Sequence, residues 1–111
     1  MTVAWIDVTD VENVAGDTLD LHTQALWIEQ VVAAANEWSF RKRKESGYHD
    51  VVAHAPSDDV KLGAALYAWR LYQQRSSGAE ASFDGFPEPV AFGPDLGVIR
   101  QLLGIPRGRV A

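Results

Sequence analysis

A chain of 111 residues is the length of one domain, and a domain of that size buries roughly 65% of the surface its unfolded form exposes. It contains no cysteine, which excludes a disulfide framework and every thiolate-based zinc or iron–sulfur site. Ten Lys and Arg against fifteen Asp and Glu give a net charge of −5, the wrong sign for a protein whose main task is to coat nucleic acid.

Thr9 and Glu12 have the spacing of a capping box, and Gly16 is a natural stop, so residues 10–15 read as a short helix. After a turn at Gly16–Thr18, a long helical pattern runs from about Leu21 to Lys44. Leu21, Ala25, Ile28, Val32 and Ala35 form one apolar stripe, with Trp27, Val31, Ala34 and Trp38 beside it. That helix would reach roughly 35 Å. Gly47 closes it. Ser57 is a good N-cap, and Asp58 and Asp59 suit the positive start of a second long helix ending near Ser76, with Gly78 as its stop. Its apolar residues Val60, Leu62, Ala64, Leu66, Tyr67, Ala68, Trp69 and Leu71 cover much of its girth. The two long helices are expected to pack antiparallel, burying Val32, Ala35, Ala64, Ala68 and Leu71, with Gly63 allowing close approach.

Residues 78–94 lack helical periodicity. Asp84–Gly85 is a turn signal, Val90 and Phe92 alternate in strand fashion, and Pro87 and Pro89 forbid a regular central strand. An irregular or hairpin-like loop is predicted, carrying Phe83, Phe86 and Phe92. A last helix starts at Pro94 and ends at Gly104, with Leu96, Ile99 and Leu103 inward. The expected architecture is therefore all-α: a small helical bundle in residues 1–104, then a flexible basic tail, 105–111.

Charge is segregated along the chain. Residues 1–40 carry seven acids and no Lys or Arg, whereas Arg41, Lys42, Arg43 and Lys44 are four bases in a row. That run suits the negative end of a helix dipole, or else a contact with phosphates. Met1 and Thr2 lead into acidic sequence rather than a basic and apolar leader, and no apolar run, Val31–Ala35 included, approaches the length of a membrane span. A soluble, cytosolic chain without a membrane span is the expectation.

Little in the chain has the pattern of catalysis. There is no nucleophile elbow, Walker loop or dinucleotide fingerprint. His49 and His54 are five residues apart, which is not helical metal-ligand spacing. With Asp50, Asp58 and Asp59 nearby they could still line a loop metal site, and a metal-dependent hydrolase is one alternative. No enzyme activity and no cofactor are expected.

From Asp58 onward the chain resembles the head-to-tail connector, or portal adaptor, proteins of long-tailed double-stranded DNA bacteriophages. Three segments carry the resemblance: the small-residue helix from Val60 to Tyr72 with its polar end at Gln73, Gln74 and Arg75; the Gly-, Ser- and Phe-containing loop from Ser76 to Phe92; and Pro94–Leu96 leading into Ile99–Gly104. Val8–Val11 with a stop at Gly16 is similar to the start of those proteins. The run from Trp38 to Lys44 departs from the pattern, being more aromatic and basic. The resemblance implies a homo-oligomeric ring, expected to be a dodecamer, beneath the portal protein in the virion neck, with assembly from the host cytoplasm. Such a ring extends the DNA channel, lets double-stranded DNA pass without specific binding, and connects the head to a stopper or other neck protein. It further implies a portal-binding tail at Ile105, Pro106, Arg107, Gly108, Arg109 and Val110. A subunit or tail-side interface is implied at Phe83, Phe86, Phe92 and Trp69, with Arg41, Lys42, Arg43 and Lys44 as the alternative contact. A generic helical interaction module or small regulator is the other alternative.

Overall fold

The structure is a computed structural model that describes residues 2–16, 19–83 and 96–105. Among these the chain forms four helices and no strand: α1 (Val8–Ala15), α2 (Ala25–Glu45), α3 (Asp58–Phe83) and α4 (Leu96–Leu103). The all-α expectation holds, with two long helices between two short ones. The predicted loop is corrected at its start, since residues 78–83 with Phe83 continue α3; the rest of it, with Phe86 and Phe92, and the tail from Pro106 lie outside the described residues.

The helix ends differ from expectation for local chemical reasons. α1 starts two residues early because Asp7, not Thr9, is its N-cap. The Asp10 N–H donates to Asp7 Oδ1 at 3.0 Å, and the Asp7 N–H donates to Asp10 Oδ2 at 2.9 Å, a capping box built from two aspartates. Asp7→Ala is therefore expected to cost about 0.5–2 kcal/mol, and Thr9→Ala less than about 0.5 kcal/mol, in paired urea melts. Equal losses from the two would return the cap to Thr9.

α2 starts at Ala25 rather than Leu21, because Asp20 holds the preceding turn. Its carboxylate accepts from the His22 and Thr23 N–H groups and from the Thr23 hydroxyl, and these bonds offer the backbone an alternative to helix. The Thr23 hydroxyl, helped by that backbone, holds the Asp20 carboxyl below its ordinary pKa. Leu21 consequently sits in the turn, exposed. α3 continues past Ser76 and through Gly78 to Phe83. One interior glycine costs a helix only about 1 kcal/mol, and the surrounding Gln73, Gln74, Arg75, Ala79 and Ala81 are helix formers.

α2 and α3 cross antiparallel. The Trp27 indole N–H, near the start of α2, donates to the Tyr72 carbonyl at 3.4 Å, while Trp38, farther along α2, stacks on Tyr67 at 3.9 Å between ring centroids. One core, of Ile28, Val31, Val32 and Ala35 against Ala64, Ala65, Ala68 and Tyr72, is closed by Ile6 and Val11. Of the five residues expected to be buried between the long helices, Leu71 alone is half-buried and packs at the edge of this core. A second core joins Val3, Trp5 and Val60 to Ile99, Leu103 and Ile105. Gly63 does allow close approach, but by α4: a Cβ there would lie 3.1 Å from Leu102 Cβ and Leu103 Cγ.

The N-terminal strap of Val3, Trp5 and Ile6 belongs to these cores, a role the sequence pattern does not announce. The Ala4 N–H donates to the Val52 carbonyl at 2.8 Å, and the Trp5 indole N–H to the Val51 carbonyl at 2.9 Å. Buried Asn36 then serves both polar groups of Ile6. Its Oδ1 accepts from the Ile6 N–H at 3.0 Å, and its Nδ2 donates to the Ile6 carbonyl at 3.1 Å. Among the described residues no helix is long and apolar enough to cross a membrane.

Candidate functional site

The basic run at the end of α2 does not act as one surface. Arg41 is exposed and lies 3.9 Å from Glu45, one turn on, and Lys42 pairs with the same Glu45 at 3.4 Å. Lys44 borders a groove of about 200 Å³ with Phe40, Tyr48, His49 and Asp50. Arg43 is different. It is buried, so its place in an exposed four-base contact is corrected: the side chain belongs to the interior.

The guanidinium of Arg43 joins three pieces of chain. Its Nε and Nη2 donate to the two oxygens of Asp50 at 2.6 and 3.1 Å, a forked pair in which both side chains are 8% exposed. Its Nη1 donates to the Leu103 carbonyl at 2.7 Å, and its plane lies 3.6 Å from the centre of the Tyr48 ring. The Tyr48 hydroxyl donates in turn to the Gly104 carbonyl at 2.8 Å.

Two matched helix ends create this arrangement. α2 closes with Gly47 at φ +102°, its N–H bonded to the Lys44 carbonyl and the Tyr48 N–H to the Arg43 carbonyl. α4 closes in the same way at Gly104, φ +74°, with its N–H on the Gln101 carbonyl and the Ile105 N–H on the Arg100 carbonyl. Both are Schellman endings, and each leaves carbonyls with partial negative charge. The Arg43 guanidinium, bonded to the Leu103 carbonyl, offsets that charge at the α4 end. In the α4 ending Ile105 is the apolar residue that folds back on the helix, and it is buried in the second core. Ile105 is thus corrected from tail to domain: a side chain packed beside Ile99 and Leu103 is not available to a partner's pocket.

The remaining predicted residues separate. Trp69 is half-buried against the first core, its indole nitrogen enclosed without an acceptor. Phe83 is the last residue of α3. His54 faces the Ala55 carbonyl at 3.4 Å, whereas His49 borders the Lys44 groove. Asp50, the acid nearest to both in sequence, has both oxygens committed to Arg43. Among the described residues no three His, Asp or Glu side chains converge to hold a metal ion.

A second constellation was not anticipated. The stacked pair Trp38 and Tyr67 is approached from three helices. Arg41 lies one turn beyond Trp38 on α2, Arg70 one turn beyond Tyr67 on α3, and Arg100 of α4 lies 6.0 Å from the Trp38 ring centre. Burial raises the Tyr67 phenol pKa, and the positive charges of Arg41, Arg70 and Arg100 oppose that rise. The helical spacings Trp38–Arg41 and Tyr67–Arg70 are legible in the sequence; the stacking that joins them, and the arrival of Arg100, are not.

Compared with protein-family models, with curated proteins and with solved structures, the chain matches none of them.

Proposed function

We propose that the chain is a structural adaptor, assembling as a ring beneath a phage portal and joining it to the neck. The observation that supports this best is the order and proportion of the helices. A short capped helix, two long crossed helices and a short last helix stopped by glycine make up the kind of small helical subunit that the connector resemblance implies. Large apolar side chains left outside both cores give such a subunit surface for neighbours: Leu26 is 74% exposed on α2, Val51 52% between α2 and α3, and Val98 45% on α4. Double-stranded DNA would pass through the ring without specific binding.

Mixing the purified chain with purified portal rings tests this reading. A complex with the chain seated as a ring on the portal, seen by electron microscopy and sedimentation, is the expected result. A chain that stays free at every portal concentration overturns it. Leu26→Glu should leave the urea melt within about 0.5 kcal/mol of the parent, because an acid suits the first turn of α2, while weakening ring formation. A variant that assembles as well as the parent removes Leu26 from the subunit contact.

A further inference from the structure

The groove between α1 and α3 and the arginine cluster lie on opposite sides of the two long helices. On α2, Asn36 holds the N-terminal strap, whereas Trp38 carries the arginine cluster. Two residues apart, these positions are about 200° apart round the helix. On α3, Ala65 lines a groove against α1, whereas Tyr67 faces the arginines. Those two positions are again about 200° apart.

The groove between α1 and α3 has a volume of about 210 Å³ and is bordered by Asp10, Asn13, Val14, Asp58, Lys61, Leu62 and Ala65. Its floor is apolar, Leu62 is 41% exposed, and Asp58 stands exposed on its rim. Lys61 pairs with Asp10 at 3.6 Å and offsets part of the acidity, leaving Asp58 as the outward carboxylate. The opposite face presents Arg41, Arg70 and Arg100 around two aromatic rings. Among the described residues Arg41 pairs with Glu45, at 3.9 Å, with both side chains more than half exposed. An exposed pair of that kind contributes under about 1 kcal/mol and exchanges readily for a better partner. Within one molecule the two faces point apart, so the arginines cannot reach the groove of their own chain.

We infer that the Arg41, Arg70 and Arg100 cluster of one copy docks on the Asp10–Asp58 groove of the next, a head-to-tail contact between copies of this chain. Guanidinium forks match the carboxylates, and the aromatic pair and the Leu62 floor supply the apolar part of the surface. A contact that joins two different faces repeats from copy to copy and closes into a ring when its rotation allows. The contact deepens the ring reading above and rests on it for closure alone.

The test is a charge swap read by sedimentation equilibrium in low salt. Arg41→Glu and Asp58→Arg each sit at an exposed position, so both variants should fold, with circular dichroism as the check. Alone, each places like charges opposite one another and should weaken self-association by about tenfold or more. Mixed together, the two variants should associate as the parent does, because every contact between unlike copies is again a pair of opposite charges. The double variant R41E/D58R should likewise recover.

Single variants that associate like the parent, or a mixture that does not recover, overturn the contact. The ring reading survives that outcome if the parent still forms rings. A parent that stays monomeric up to millimolar concentration in low salt also overturns the contact, while portal binding decides the adaptor reading separately. Binding of a duplex DNA probe that Arg41→Glu abolishes would reassign the cluster to phosphate and overturn it too.

Discussion

Replacing Arg43 with alanine is expected to cost about 3–5 kcal/mol of folding stability, the largest loss from any charged position in the domain. The truncation strands a carboxylate that is 8% exposed and removes the donor to the Leu103 carbonyl. It also leaves the Tyr48 ring without the cation on its face. Most of the loss comes from uncompensated burial of Asp50, so Asp50→Ala should be damaging for the mirrored reason. The pair Arg43→Met with Asp50→Leu should recover much of either loss, because no buried charge is left alone. Lysine should serve poorly at position 43, since an ammonium cannot make the fork to Asp50 and reach Leu103 together. A urea-melt cycle over the two single variants and the double one measures this. A loss below about 1 kcal/mol for Arg43→Ala, the size of an exposed pair, would mean that the guanidinium is not sealed from water.

The buried arginine also marks the limit of what the sequence could tell. Arg43 lies within four consecutive bases, and composition alone makes such a run a solvated face or a phosphate contact. Its burial depends on Asp50 and on the end of α4, which is 60 residues away in the chain. Asn36 has the same character. One amide amid alanines and glutamates has no period, yet its two bonds to Ile6 fasten the N-terminal strap. Helical period, by contrast, is local and strong, and it found Ile28, Val32, Ala35, Ala64 and Ala68 correctly. Helix starts were less legible because two capping boxes overlap: Asp7 with Asp10 and Thr9 with Glu12 compete for one end. Aspartate ranks above threonine at that position. The arginine cluster was half visible, since spacing placed Arg41 and Arg70 beside their aromatics on separate helices. Only packing brought those helices together.

Ile105 carries the other large prediction, because it decides where the domain ends. Ile105→Ala is expected to cost about 2–5 kcal/mol. The side chain is 6% exposed and packs with Ile99 and Leu103, both fully buried, in the second core. Its N–H completes the α4 ending on the Arg100 carbonyl at 3.0 Å, and that bond sets the path by which the side chain returns to the core. Alanine keeps the backbone bond and removes the apolar contact, so the measured loss reports burial alone. Ile105→Val, a smaller deletion at the same place, should cost about 0.5–1.5 kcal/mol. The graded pair separates a packed side chain from one lying on the surface, where both changes would stay within about 0.5 kcal/mol. The signal lay in the sequence: a glycine that ends a helix, followed at once by an isoleucine, is the pattern of a Schellman ending with its apolar clasp. Pro106 just beyond directs attention to a break in the chain. Ile105 therefore belongs to the domain, and a stability loss of this size would place its side chain inside the second core.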